Sequence, residues 1–392
     1  MISTHIKEML ASPGAGAIRK MFEEGRLLKE KFGEENVYDF SLGNPSMCVP
    51  DEVLSEIKMS AEDAEHGYMQ NAGYSFVREE MAKKTSLEQE LSVGSEHIVM
   101  ACGAAGALNV VLKSILNPSD EVIVIAPYFS EYNHYVQNHG GKIVCVKSSS
   151  DFSLSIENIE NALTEKTAAI IINSPNNPTG KIYSKDKINL LSKKLLEHSK
   201  KYSRLPYIIL DEPYRAITYG KTVPAVFPLY ENTILVTSFA KNLSIPGERL
   251  GYIAINPRSS DASVFIGAAT FATRILGFVN APAFFQKVVA KTWNVKVDYS
   301  CYEKNCNHLK NIMSEVGLSY VEPEGAFYLF VKVPDAYNGD DMLFVNHLKK
   351  YNILCTPGTS FAYSGYVRFA FCVSEKTILN SRNAFKKAMR KS

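Results

Sequence analysis

Thr167-Ala168-Ala169-Ile170-Ile171-Ile172-Asn173 is a continuous apolar run, and Ser174-Pro175-Asn176-Asn177-Pro178-Thr179-Gly180 follows it directly. A run of that length without polar alternation reads as a strand buried on both faces, and the Pro/Asn/Gly cluster behind it reads as a turn. Six more such runs lie on either side, at 97–102, 121–126, 142–146, 207–210, 233–236 and 250–255. Helical patterns near 104–116, 131–139 and 185–201 separate several of them. Apolar strands alternating with helices predict an α/β fold with a mostly parallel, seven-stranded sheet between helices.

Beyond Pro282 the pattern changes. A helical pattern covers 284–316, strands are expected near 326–333, 353–355 and 367–371, and helices near 341–351 and 375–390. This reads as a smaller α+β domain. Residues 45–285 are expected to form the large domain, with 1–44 (a helix, then extended chain) and 286–392 in the small one.

Bulk properties exclude several classes. Apolar residues make up 46% of the 392 and charged residues 21%, as in ordinary globular proteins. A net charge of +2 gives no reason to expect nucleic acid or an anionic membrane as partner. No apolar run approaches the length of a membrane span, and the first residues lack a signal-peptide pattern. Seven cysteines are scattered without metal-like pairs, which predicts free thiols in a reducing cytoplasm and no metal site.

The polar clusters of the large domain fall just after predicted strands, where open α/β sheets bind ligands. After residue 102, Gly103-Ala104-Ala105-Gly106 opens a helix whose free N–H groups suit a phosphate, although tight packing explains such a start equally well. It is neither a Walker loop nor a Gly-x-Gly-x-x-Gly fingerprint. After residue 210, Asp211-Glu212-Pro213-Tyr214 places acids at the end of a buried strand, where they need donors or a cation. After residue 236, Ser238-Phe239-Ala240-Lys241 runs on to Arg249 and Gly251. Lys241 lies among small and apolar neighbours, with Arg249 nearby to disfavour its charged form. Both effects favour a nucleophilic amine.

These motifs, in this order, resemble the class I/II aminotransferases, enzymes dependent on pyridoxal 5′-phosphate (PLP) and of fold type I. The resemblance covers nearly the whole chain and is carried by Leu42-Gly43-Asn44-Pro45, Tyr68-x4-Gly73, Gly103–Leu108, Pro127-Tyr128-Phe129, Asn177-Pro178-Thr179-Gly180, Asp211-x-x-Tyr214, Ser238-x-x-Lys241-x7-Arg249-x-Gly251 and Gly365-Tyr366-Val367-Arg368. It implies that Lys241 holds the cofactor as a Schiff base and carries the substrate α-proton. It further implies that Asp211 pairs with the pyridine nitrogen, and that Asn177 and Tyr214 hydrogen-bond the ring's phenolic oxygen. Ser238, Arg249 and the backbone of Ala104 and Ala105 would hold the phosphate, and Phe129 would stack on the ring. Tyr68 would reach the phosphate of a neighbouring subunit, so a homodimer with shared sites is implied. Arg368 would grip the substrate α-carboxylate, helped by Gly43 and Asn177. The implied reaction moves an amino group between an L-amino acid and a 2-oxo acid in two ping-pong stages.

Two points depart from close relatives. Ala104-Ala105 stands where some members carry a hydroxyl residue. Aspartate-specific members use a partner-subunit arginine for the side-chain carboxylate, whereas this chain offers Lys287 at the corresponding place and Arg274 as a second candidate. The sequence leans slightly toward dicarboxylic substrates and leaves alanine and aromatic amino acids open. A carbon–sulfur β-lyase on the same fold is the alternative, since it would use the same Lys241, Asp211 and Arg368.

Overall fold

The computed structural model describes residues 2–11 and 17–390. The chain opens with α1 (Thr4–Ala11), α2 (Ala17–Phe32), β1 (Tyr38–Asp39), α3 (Asp51–Ser60) and α4 (Ser75–Gln89). Alternation follows: β2 (Ile98–Ala101), α5 (Gly103–Ile115), β3 (Glu121–Ala126), α6 (Glu131–Gln137), β4 (Lys142–Lys147), α7 (Ile156–Ala162), β5 (Thr167–Asn173), α8 (Lys185–Tyr202), β6 (Tyr207–Asp211), β7 (Thr233–Ser238) and β8 (Gly251–Ile255). Then come α9 (Ala262–Ile275), α10 (Ala283–Thr292), α11 (Ser300–Glu315), β9 (Tyr320–Val321), β10 (Tyr328–Lys332), α12 (Asp341–Lys349), β11 (Ile353–Leu354), β12 (Thr356–Pro357), β13 (Tyr366–Ala370) and α13 (Glu375–Ala388).

The large sheet has seven strands in the order β2-β8-β7-β6-β5-β3-β4. All pairs are parallel except those of β8, which runs antiparallel to both β2 and β7. No α-helix separates β7 from β8, so the chain turns back instead of crossing over. Side chains alternate between two cores: Ile123, Ile170, Ile172, Ile208 and Leu210 enter one, while Val122, Val124, Ile171 and Ile209 enter the other. With both faces covered, the apolar run at 167–173 is buried at every position. That is why it shows no polar alternation.

A four-stranded antiparallel sheet, β12-β13-β10-β9, forms a third core with α11, α12 and α13. The short parallel pair β1-β11 ties the N-terminal segment to it. Side-chain caps start several helices: Ser184 accepts from Lys187 N, Asp340 from Leu343 N and Ser374 from Thr377 N.

One expectation needs correction. The helical pattern at 284–316 is two helices, α10 and α11, with a break at 293–299. Both halves have helical periodicity, but they face different cores. Val288 and Val289 pack against the large sheet's core, whereas Leu309, Ile312 and Met313 pack in the smaller one. Helix α10 spans residues 285 and 286 and packs on the large sheet's side. Periodicity does not announce helices α3, α4, α7 and α9 or the two-residue strands β9 and β12, whereas β11 falls where a strand is expected at 353–355.

Candidate active site

The carboxyl ends of the parallel strands face a single cleft of about 260 Å3. Sheet register brings its parts together: Asn173 ends β5 opposite Asp211 of β6, and Asp211 in turn lies opposite Val236 of β7, two residues before Ser238.

Lys241 sits in this cleft and donates from Nζ to the Gly43 carbonyl at 2.8 Å. Burial lowers its pKa to about 8; Cys372 opposes this, and the Arg368 and Arg249 guanidinium groups add smaller pushes in the same direction as burial. The Arg249 effect expected from the sequence is thus present but secondary to burial.

Asp211 is buried. Tyr132 Oη donates to its Oδ2, while Oδ1 has no partner. Burial raises its pKa to about 7, the Tyr132 hydrogen bond opposes this, and the neighbouring Glu212 charge adds to it. Asn173 braces the same corner: its Nδ2 donates to the Asp211 carbonyl at 2.8 Å, and its Oδ1 accepts from Asn177 N at 2.7 Å.

Arg368 lies mid-strand in β13, flanked in register by Phe330 and Thr356, and is only 2% exposed. Its guanidinium donates to Asn177 Oδ1 at 3.0 Å, to the Ser41 carbonyl at 2.6 Å and to Thr356 Oγ1 at 3.2 Å. The Tyr328 and Phe361 rings flank it at 4.5 and 4.9 Å. All three acceptors are neutral, so among the described residues a buried cation faces the cleft without a carboxylate counter-charge. Tyr214 Oη shares a 2.8 Å hydrogen bond with Tyr328 Oη.

At the opposite end, Ala104 and Ala105 occupy the first turn of α5, beside Ser238 and Arg249. Gly103 has φ +69°, and a Cβ there would lie 2.8 Å from Arg249 Nη2, so the arginine rests directly on the helix start. Gly43 is also required for close approach, since a Cβ would meet Tyr328 Oη at 2.2 Å. Phe129 lines the cleft and packs edge-on to Tyr132.

The cleft therefore gathers Lys241, Asp211, Tyr214, Asn177, Ser238, Arg249, Ala104, Ala105, Phe129, Arg368 and Gly43. Tyr68 stands apart: it is 93% exposed, beside Phe278 and Val279 in a surface hollow. Lys287 also lies elsewhere, with Nζ bonded to Asp63 Oδ2 and to the Glu65 carbonyl. Arg274 packs over the ring of Phe271 at 5.1 Å. Sequence reasoning missed Tyr132, Tyr328, Ser41 and Thr356. Tyr132 carried one faint signal, its position on the helix directly behind Phe129.

Residues 34–385 match the family described as Aminotransferase class I and II. The chain belongs to that family. It is a transaminase, and its relatives agree along nearly their full length. An aspartate aminotransferase from Thermotoga maritima is 29% identical over 346 residues, 87% of this chain and 88% of the relative. An aminotransferase structure from Eubacterium rectale superposes with a TM-score of 0.93 at 35% identity, covering 99% of this chain and 98% of that one. The aspartate aminotransferase from Thermus thermophilus solved with maleate gives 0.88 at 26% identity, with 99% of both chains covered. None of these relatives is named a lyase.

Proposed function

We propose that this transaminase uses PLP in the cleft between Lys241 and Asp211, and that it acts as a homodimer on amino acids and 2-oxo acids. The observation that carries the cofactor reading is the unpartnered, buried Oδ1 of Asp211. A buried carboxylate oxygen lacks compensation unless a donor or cation meets it, and a protonated ring nitrogen is both.

The remaining donors fit the same group. Ser238, Arg249 and the α5 N-terminus form an anion cradle for the phosphate. Phe129 offers a ring face, and Asn177 and Tyr214 offer hydrogen-bonding groups near its phenolic oxygen. When bound, PLP supplies an aldehyde that captures amines and a cationic ring that accepts the electron pair of the substrate Cα–H bond.

The chain's own groups do the rest. Lys241, whose hold on its proton is weakened by burial, takes the α-proton and returns it. Arg368 holds the α-carboxylate with a planar fork that a lysine cannot imitate. Asn177 spans both tasks, since its Oδ1 already orients Arg368.

Tyr68 points to a second copy. Its near-complete exposure suits a residue that reaches a partner's phosphate, and Val264, Phe271 and Ile275 of α9 are also exposed. A large domain to about residue 297, completed by a small one, replaces the earlier boundary because α10 packs on the large sheet's core. Seven free cysteines suit a reducing cytoplasm.

A half-reaction screen tests the reading. Each of the twenty amino acids is added to PLP-loaded protein, and the visible absorbance is followed. Bleaching by at least one amino acid, absent in Lys241→Ala, is expected. A wild-type protein that stays colourless with PLP overturns it.

A further inference from the structure

In the motif Asp211-Glu212-Pro213-Tyr214, Asp211 and Tyr214 line the cleft and Glu212 does not. Glu212 is nevertheless among the most deeply buried acids in the chain, with 2% of its side chain exposed. Its Oε2 accepts from Arg215 Nη1 at 2.8 Å and from Gln89 Nε2 at 3.5 Å.

Arg215 extends the contact outward. Its Nη2 donates to the carbonyls of Glu88 and Val223. Lys84, buried on α4, pairs with Glu88. Gln89 accepts from Val226 N at 2.9 Å and from Phe227 N at 3.4 Å. Charges balance within this group, two acids against two bases, with the Tyr252 hydroxyl also facing Lys84.

The backbone of the same turn is fixed too. Glu212 N donates to the Val236 carbonyl at 2.9 Å, Thr237 Oγ1 donates to the Glu212 carbonyl at 3.0 Å, and Ile217 N donates to the Tyr214 carbonyl at 2.8 Å. Glu212 and Arg215 thus bracket Tyr214 in sequence and clamp its turn to the end of α4. Tyr214 itself extends toward Tyr328 and the cleft.

We propose that the Glu212–Arg215 ion pair is a positioning pair for the reaction, fixing the turn that presents Tyr214 to the cofactor's phenolic oxygen. This rests on the PLP reading above. A buried ion pair is a weak contributor to stability compared with apolar packing, but it sets geometry sharply, because each partner is costly to leave alone. A mobile turn would keep Asp211, which β6 holds in register with β5 and β7, and would lose the placement of Tyr214.

The charges and titratable groups around Glu212 are Arg215, Glu88, Lys84, Tyr252 and Asp211. Removing the Glu212 charge alone lowers the pH midpoint at which bound PLP changes absorbance, because it takes a negative charge from near a cationic group. Losing the Tyr214 donor raises that midpoint, because the donor competes for the phenolic oxygen with the proton held at the Lys241 nitrogen. The two causes have opposite signs.

The experiment titrates the absorbance of PLP-loaded wild type, Glu212→Gln, Tyr214→Phe and the double variant, with steady-state kinetics alongside. Glu212→Gln should raise the midpoint by about 0.5–1 unit, the worth of one hydrogen bond. It should lower kcat about tenfold and move the amino-acid KM less than about threefold. In the Tyr214→Phe background the upward shift should vanish. An unchanged or lowered midpoint in Glu212→Gln, or an upward shift that survives in Tyr214→Phe, overturns the proposal. If Glu212→Gln does not fold, Glu212→Asp, which keeps the charge but is one methylene too short to hold Arg215, is read by the same criteria. A wild type that binds no PLP defeats the cofactor reading instead, so the two failures are distinct.

Discussion

The hydroxyl of Tyr132 donates to one carboxylate oxygen of Asp211, and the other oxygen of that buried carboxylate has no partner. One donor thus orients the acid while its second oxygen remains available. Tyr132→Phe should leave both oxygens without a protein donor. Because the Tyr132 bond lowers the Asp211 pKa, its loss should raise it. PLP affinity should fall by about 10–100-fold, the worth of one charge-assisted hydrogen bond. Equilibrium binding of PLP to the ligand-free protein checks this.

The same carboxylate makes the ligand-free protein sensitive to pH. Its pKa is raised from 3.8 to about 7, so the folded state binds this proton more tightly than the unfolded chain does. The stabilisation is full below about pH 4 and is lost as pH rises through about 7. Asp211→Asn removes the titration and keeps an acceptor for Tyr132. Without PLP it should be more stable than wild type at pH 8, by on the order of 1–3 kcal/mol, with the gap closing toward pH 4. Urea unfolding at the two pH values measures it.

Lys241 titrates in the opposite sense. Burial lowers it from 10.5 to about 8, so its free amine appears near neutral pH. The rate at which ligand-free protein captures PLP should rise about tenfold per unit below pH 8 and level off above it. Arg368 contributes to the lowering, so Arg368→Met should move that midpoint upward. Stopped-flow absorbance across pH 6–10 reports both.

Arg368 donates to three neutral acceptors and meets no carboxylate among the described residues. A lysine there would keep the charge and lose the fork. Arg368→Lys should raise the amino-acid KM by about 10–100-fold while leaving PLP bound, since a charged hydrogen bond is worth about 1.5–3 kcal/mol. Steady-state kinetics and the cofactor spectrum of the same sample separate the two effects.

The large sheet was legible because its strands are buried on both faces. An apolar run such as 167–173 then has no polar face to obscure it. The cleft residues were legible because strand ends put polar side chains where a core has no use for them. What escaped is non-local. Tyr132 and Tyr328 look like core aromatics until the fold brings one hydroxyl to Asp211 and the other to Tyr214. Ser41 and Thr356 hold Arg368 from segments more than 300 residues apart in sequence, which no local pattern records. The break between α10 and α11 was invisible because both helices have the same periodicity and differ only in which core they face.

Lys287 has partners of its own within the chain. At its sequence position it was a candidate reader of an acidic substrate side chain. In the fold its ammonium is bonded to Asp63 Oδ2 and to the Glu65 carbonyl, near the ring of Tyr74. The Asp63 bond raises its pKa, so it stays charged and paired. Its partners belong to the segment that leads to Tyr68, and Asn280 Nδ2 holds the same segment through the carbonyls of Met69 and Gln70. Removing Lys287 should loosen this stretch and leave substrate selection unchanged. Lys287→Ala should therefore lower kcat/KM for aspartate, glutamate and alanine by the same factor, within about twofold. A loss for the two acids at least tenfold greater than for alanine would restore the specificity role, because reading a carboxylate would require the ammonium to leave Asp63.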